Sequence, residues 1–255
     1  MAELALGKRP ATQDSRDLMF STYVKVPALP TPPAQFGHET LFPPKAWGML
    51  GNDEWGDCAW AGPAHETMIL TTEGGHPAGF TTAGVLGDYS AGTGFDANAG
   101  PPGSNPTDKG SDVRVVLGYR RTTGIVDAAG VRHKIGAYVK LEQGNLTQLY
   151  QALYLFQVVG IGVRFPSSAM DQFHAGQPWD VVAGASIEGG HYIPVVARRD
   201  VIEVVTWGAL QGMTEAFYTT YCDEAWAYVS TEDLQNGHDP EGFDLTQLRA
   251  DLAAL

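Results

Sequence analysis

The chain has 255 residues, 44% hydrophobic content and a formal charge of −13, so it is long enough to bury a sizeable core as one large domain or two small ones. That acidity, with no basic cluster beyond the Arg120-Arg121 and Arg198-Arg199 pairs, disfavours nucleic acid and anionic membranes as partners. Two cysteines make neither a disulfide framework nor a zinc site, so no metal and no cofactor is expected.

The start "MAELALGKRPATQDSRD" lacks the apolar core of a secretory signal, and runs such as "VVGIGV" are too short to span a bilayer. A cytoplasmic location is the expectation, and packaging into a virion is compatible with the same absence. Residues 1–50 read as an extended lead packed on the domain, because "VPALPTPPAQ" holds four prolines in ten residues and disfavours helix. The main domain is expected over 51–235, and a tail with helical leucine spacing over 236–255.

From Cys58 to about Thr72 the pattern "CAWAGPAHETMILTT" predicts a helix, with Pro63 expected to kink it. "AGTGFDANAGPPGSNPTDKG" is loop by composition and long enough to wall a groove. "SDVRVVLGYRRTTGI" predicts a helix capped by Ser111, and "NLTQLYQALYLF" one capped by Asn145. "HKIGAYVKL", "VVGIGVRF", "HYIPVVAR", "VIEVVTWG" and "AWAYVS" read as strands, whereas Cys222 falls in a predicted helix, "TEAFYTTYCDEA". Helices followed by consecutive strands predict an α+β chain with an antiparallel sheet.

The chemistry concentrates around "GNDEWGDCAWAGPAHE", residues 51–66. A thiol becomes nucleophilic when a helix N-terminus or an imidazole favours its thiolate, and Cys58 opens the predicted helix. His65 lies about 10 Å of helical rise away and cannot reach it. His191 is the better partner, because "EGGHYIPVVA" sets it at the start of a buried strand, where Gly189 and Gly190 permit close approach of substrate. Asp57 is expected to raise the thiol pKa by like-charge repulsion unless it serves as the helix N-cap.

A polar residue followed by "GDC" and "WA", then "GGH" opening a strand and a strand ending in "WG", is similar in order and spacing to the papain-like cysteine peptidases. The opening "LGKRPATQDSRDLMF" also resembles the "LG-x-RP…D-x-RD" lead of their bacterial and phage-type members, and the likeness covers roughly residues 6–230. It implies a helical part packed on an antiparallel sheet or barrel part, with the site in the groove between them. It further implies Cys58 as nucleophile, His191 as general base and Asn52 as oxyanion donor, with Trp207 shielding the histidine. Trp60, Lys109, Gly110 and Gly190 fall at positions expected to line the substrate groove.

The sequence departs from that pattern where "NSWG" reads "VTWG", placing Val205 at the residue that orients the histidine. Thr206 is the nearest polar substitute, and strand alternation is expected to turn it to the opposite face. The implied activity is thiol-dependent hydrolysis of an amide in a peptide, protein or peptidoglycan substrate. The alternative is a non-catalytic structural or binding protein on the same fold, such as a phage particle component, with particle or homo-oligomer assembly among its expected partners.

Overall fold

A computed structural model of the protein describes residues 4–25, 28–43, 46–230 and 243–254. Among the described residues of the lead, a four-residue helix α1 (Phe20–Tyr23) and a short strand β1 (Phe36–Gly37) are the regular elements apart from 3₁₀ turns. α2 (Cys58–Glu73) follows, then α3 (Thr82–Thr93) and α4 (Val113–Thr122). α2 is buried on every side from Cys58 to Thr71, as expected for a helix without a polar face. It runs unbroken through Pro63, the residue expected to kink it.

A short hairpin of β2 (Ile125–Val126) and β3 (Arg132–His133) precedes β4 (Ile135–Lys140) and α5 (Leu146–Phe156). Next come β5 (Val159–Pro166), α6 (Ser167–His174), β6 (Ile187–Arg198), β7 (Ile202–Thr206), β8 (Ala209–Met213), α7 (Glu215–Tyr221), β9 (Cys222–Ser230) and α8 (Leu245–Ala254). The main sheet is antiparallel in the order β4-β9-β5-β6-β7-β8, with β1 added on β6. The chain is thus an α+β fold, as the run of helices followed by strands predicts.

Strand alternation divides the apolar residues into two cores. Ile193, Val195 and Val204 face α5, α7 and α8, while Tyr192, Val196 and Val205 face α2, α3 and α4. On the second side Glu66 of α2 pairs with Arg120 of α4 at 2.6 Å and accepts the Tyr192 hydroxyl at 2.8 Å. This buried pair ties α2 and α4 to the middle of β6.

The local signals hold unevenly. Asn145 caps α5 by accepting the Gln148 N–H, as its position predicts. The cap of α4 is Asp112 and not Ser111, because Asp112 accepts the Arg114 N–H while Ser111 pairs with other backbone. Cys222 is the first residue of β9 and not part of a helix, since α7 ends at Tyr221. The C-terminal helix docks through Leu245 and Leu248, whereas the start of the predicted tail lies outside the described residues.

Candidate active site

α2 begins at Cys58, so the sulfur sits on the first turn, where backbone N–H groups are free of intrahelical partners. The N-terminus of α2 meets β6 at the strand's glycine-containing start. There the Tyr192 N–H donates to Cys58 Sγ at 3.4 Å, which places the sulfur against the residue following His191. Both side chains border the same small space, together with Asn52, Thr206 and Trp207.

His191 is held from two directions. Its Nε2 is 2.7 Å from Thr206 Oγ1, and its ring stacks on Trp207 with centroids 4.4 Å apart and planes 18° apart. Thr206 reaches it because alternation along β7 puts Val204 and Thr206 on one face and Val205 on the other. The expectation that alternation would carry Thr206 away is therefore corrected: Val205 turns into the core around α2, and the Thr206 face is the one His191 shares. Trp207 and Gly208, at φ 45° and 69°, form a tight two-residue turn into β8 that brings the indole over the imidazole.

His191 Nδ1 is buried and has no hydrogen-bond partner. Burial pushes the imidazole pKa down to about 3. Burial also pushes the Cys58 thiol up to about 11, opposed by the Tyr192 N–H, assisted by the Asp57 carboxyl and opposed again by the Gly7 N–H. The pair is consequently neutral as it stands. Asp57 occupies the N-cap position of α2 without a side-chain capping bond, and burial moves its carboxyl well above the usual range, toward the neutral form. That reduces the like-charge repulsion expected of it.

The burial comes from the lead. Residues 5–9 cross directly over the site: the Lys8 N–H donates to Gly190 O at 3.0 Å, the Ser111 N–H to Gly7 O at 2.8 Å, and the Arg9 N–H to Ser111 O at 2.9 Å. The Lys8–Ser111 bridge is parallel. Ala5 O accepts from Asn52 Nδ2 and from Trp207 Nε1, each at 3.3 Å. The crossing is so close that a Cβ on Gly110 would fall 2.0 Å from Gly7 O, and one on Gly7 would fall 1.8 Å from Gly56 O. The space left beside Cys58 and His191 is about 10 Å³, scarcely the room one water requires.

The remaining predicted positions separate. Gly110 and Gly190 lie under the lead, whereas Lys109 is exposed beside it and Ser111 supplies the backbone pairing. Trp60 is fully buried within the core around α2 and does not line the groove; its Nε1 donates to Ser111 Oγ at 2.7 Å, behind the pairing segment. His65 borders the small space, but its Nε2 contacts the Trp47 and Gly48 carbonyls, away from the sulfur.

Sequence reasoning missed Lys8. Its ammonium lies 2.9 Å from Asp223 and 3.0 Å from Glu224, with its side chain fully enclosed. The signal available was "CDEAW", two adjacent acids opening an otherwise apolar strand.

No protein-family model matches the sequence, and no curated protein matches it. Solved structures do match. Xylellain, a cysteine protease from Xylella fastidiosa, is 14% identical with a TM-score of 0.66, over 89% of this chain and 96% of its own. Procathepsin L 3 of Tenebrio molitor is 13% identical with a TM-score of 0.58, over 87% of this chain and 76% of its own. Procathepsin B from Trypanosoma congolense is 12% identical with a TM-score of 0.56, over 87% and 86%. With a helical layer and an antiparallel sheet meeting at Cys58, and with these matches, the chain has the papain-like fold.

Proposed function

We propose that the protein is a latent thiol-dependent hydrolase of peptide or related amide bonds, with Cys58 as nucleophile and His191 as its base. One observation carries this reading: His191 is anchored at Nε2 by Thr206, keeps Nδ1 without a partner, and adjoins the residue whose N–H contacts Cys58 Sγ. With Nε2–H donating to Thr206, Nδ1 holds the lone pair that accepts the thiol proton.

The thiolate attacks the amide carbonyl carbon, and the C–S bond forms as the carbonyl electrons move to oxygen. Asn52 Nδ2 and the Cys58 N–H are the donors for that oxyanion. The imidazolium then returns its proton to the departing nitrogen, leaving a thioester, and water activated by His191 releases the acid and restores the thiol.

Latency follows from the covered site. The lead excludes substrate and also excludes water, and a dry site disfavours the thiolate-imidazolium pair that attack requires. Gly7→Val, whose side chain collides with Gly56 O, is expected to force the lead from the groove. That variant should release new amines from unfolded protein or from purified cell wall, and the substrate that responds separates the peptidase from the peptidoglycan reading. Absence of release from both, with iodoacetamide labelling Cys58 no faster than Cys222 at pH 6, overturns the proposal.

The covered, neutral pair also supports a second reading, a non-catalytic particle or binding component that retains the fold. On that reading Gly7→Val uncovers Cys58 without conferring turnover, and His191→Ala leaves the labelling rate unchanged.

A further inference from the structure

The start of β9 departs from strand regularity in a way that builds a pocket. Gly162 of β5 pairs with Glu224 and Val163 pairs with Cys222, so Asp223 is the extra residue of a β-bulge. Consecutive strand residues ordinarily point to opposite faces, and a bulge re-aims one of them. Here it brings both the Asp223 and the Glu224 carboxylates onto one ammonium, that of Lys8. Trp226 Nε1 holds the far oxygen of Glu224 at 2.9 Å, fixing the carboxylate's direction.

Gly162 supplies the room. A Cβ there would fall 1.9 Å from Lys8 Cε, so the stem of the lysine occupies space that any other residue at this position would fill. The pocket therefore has a defined shape, a shaft over Gly162 with two carboxylates at its end. It opens beside the groove, since the backbone of its occupant bonds to Gly190, the residue before His191. Once the lead leaves, the two carboxylates lose Lys8, their ion-pair partner, and only the more distant Lys140 ammonium remains to offset them, which is a costly state.

We propose that the Asp223–Glu224 pocket is a specificity site that selects a lysine side chain close to the bond attacked, and that Lys8 is its resident mimic. The assignment deepens the hydrolase reading and rests on it for the word substrate; the pocket's preference for a primary ammonium on a four-carbon stem stands independently. An uncharged stem of equal length fills the shaft but leaves both acids unpaired, so charge and not size is what the pocket discriminates.

The test uses full-length chains with the lead displaced, Gly7→Val and separately Lys8→Ala, each checked for cooperative unfolding. Binding of acetyl-Gly-Lys-Gly-amide and of its norleucine counterpart is measured by calorimetry and by protection of Cys58 from iodoacetamide. The lysine peptide is expected to bind at least about tenfold more tightly. Adding Asp223→Asn and Glu224→Gln should bring the two peptides within about twofold of one another. Equal affinity for both peptides in Gly7→Val overturns the pocket assignment. Lysine-selective binding without any amine release leaves the pocket standing and removes the hydrolase reading, whereas amine release without lysine preference does the reverse.

Discussion

Cys58 and Cys222 are both free and buried, and both thiols are raised by burial, to about 11 and about 12. Their neighbours differ in kind. Cys58 has a helix N-terminus behind it, a backbone N–H on its sulfur and, beside it, an imidazole with one uncommitted nitrogen. Cys222 donates its S–H to Glu224 O at 3.3 Å, lies beside the Tyr218 hydroxyl and has carboxylates for company. Burial and thiol pKa therefore do not distinguish the proposed nucleophile from a packed cysteine. The distinction lies in what surrounds the thiolate once water enters: an imidazole and a helix N-terminus at Cys58, against a tyrosine hydroxyl and two repelling carboxylates at Cys222.

The comparison breaks most sharply under substitution. In the Gly7→Val background, Cys58→Ser should abolish amine release, whereas Cys222→Ala should retain it and cost about 1 kcal/mol of stability through the lost hydrogen bond to Glu224 O. Equal losses from the two, measured as turnover and urea midpoint, would dissolve the contrast. A smaller effect is expected from Thr206→Val, which removes the anchor of His191 Nε2 while preserving shape. Turnover should fall by roughly 10²-fold, the scale of positioned acid–base catalysis, with little change in KM and with labelling of Cys58 moved to higher pH.

The next effect sharpens the role of the cover. In the intact chain, alkylation of Cys58 should rise only as pH approaches 11, and in Gly7→Val the rise should shift to lower pH as water and His191 become available. Cys222 should keep the same profile in both chains.

The smallest effect is on global stability. Burial holds the pKa of His191 near 3 and that of His65 near 4, below the ordinary 6.5. The unfolded chain therefore binds more protons at these two histidines between pH 6.5 and 3, and their contribution to stability should be lost across that window as pH falls, while Asp57, raised by burial well above 3.8, contributes in the opposite sense. At the alkaline end the thiols, raised above 9.0, ionise first in the unfolded chain, so stability should decline again as pH rises from 9 toward 11. Replacing His191 by Gln should flatten the acid limb in chemical denaturation measured across this range.

Much of the site was legible because its signals are local. A cysteine opening a helix, glycines before a histidine and a strand ending in "WG" are read directly from adjacent residues. α2, α5 and the strands around His191 follow from periodicity and capping, because neighbours in sequence decide them. α3, α6 and β8 escaped, and their short segments carry weak patterns: α3 reads "TAGVLGDYSAGT", with three glycines. The fate of Thr206 was also hidden, since alternation states only that Val205 and Thr206 diverge. Which of them meets His191 depends on which face of β7 the helices cover.

The sequence by itself determined the α+β class, the helix that carries Cys58, the strand that carries His191 and the absence of an obvious orienting residue. Tertiary structure alone decided that Thr206 and not Val205 meets His191 Nε2, that the lead lies over the groove and that Lys8 finds Asp223 and Glu224. These three outcomes depend on contacts between segments 15 to more than 200 residues apart. Periodicity and propensity act over one or two turns of chain, whereas a bulge in β9 and a lead folded back onto β6 exist only after the sheet has closed around them.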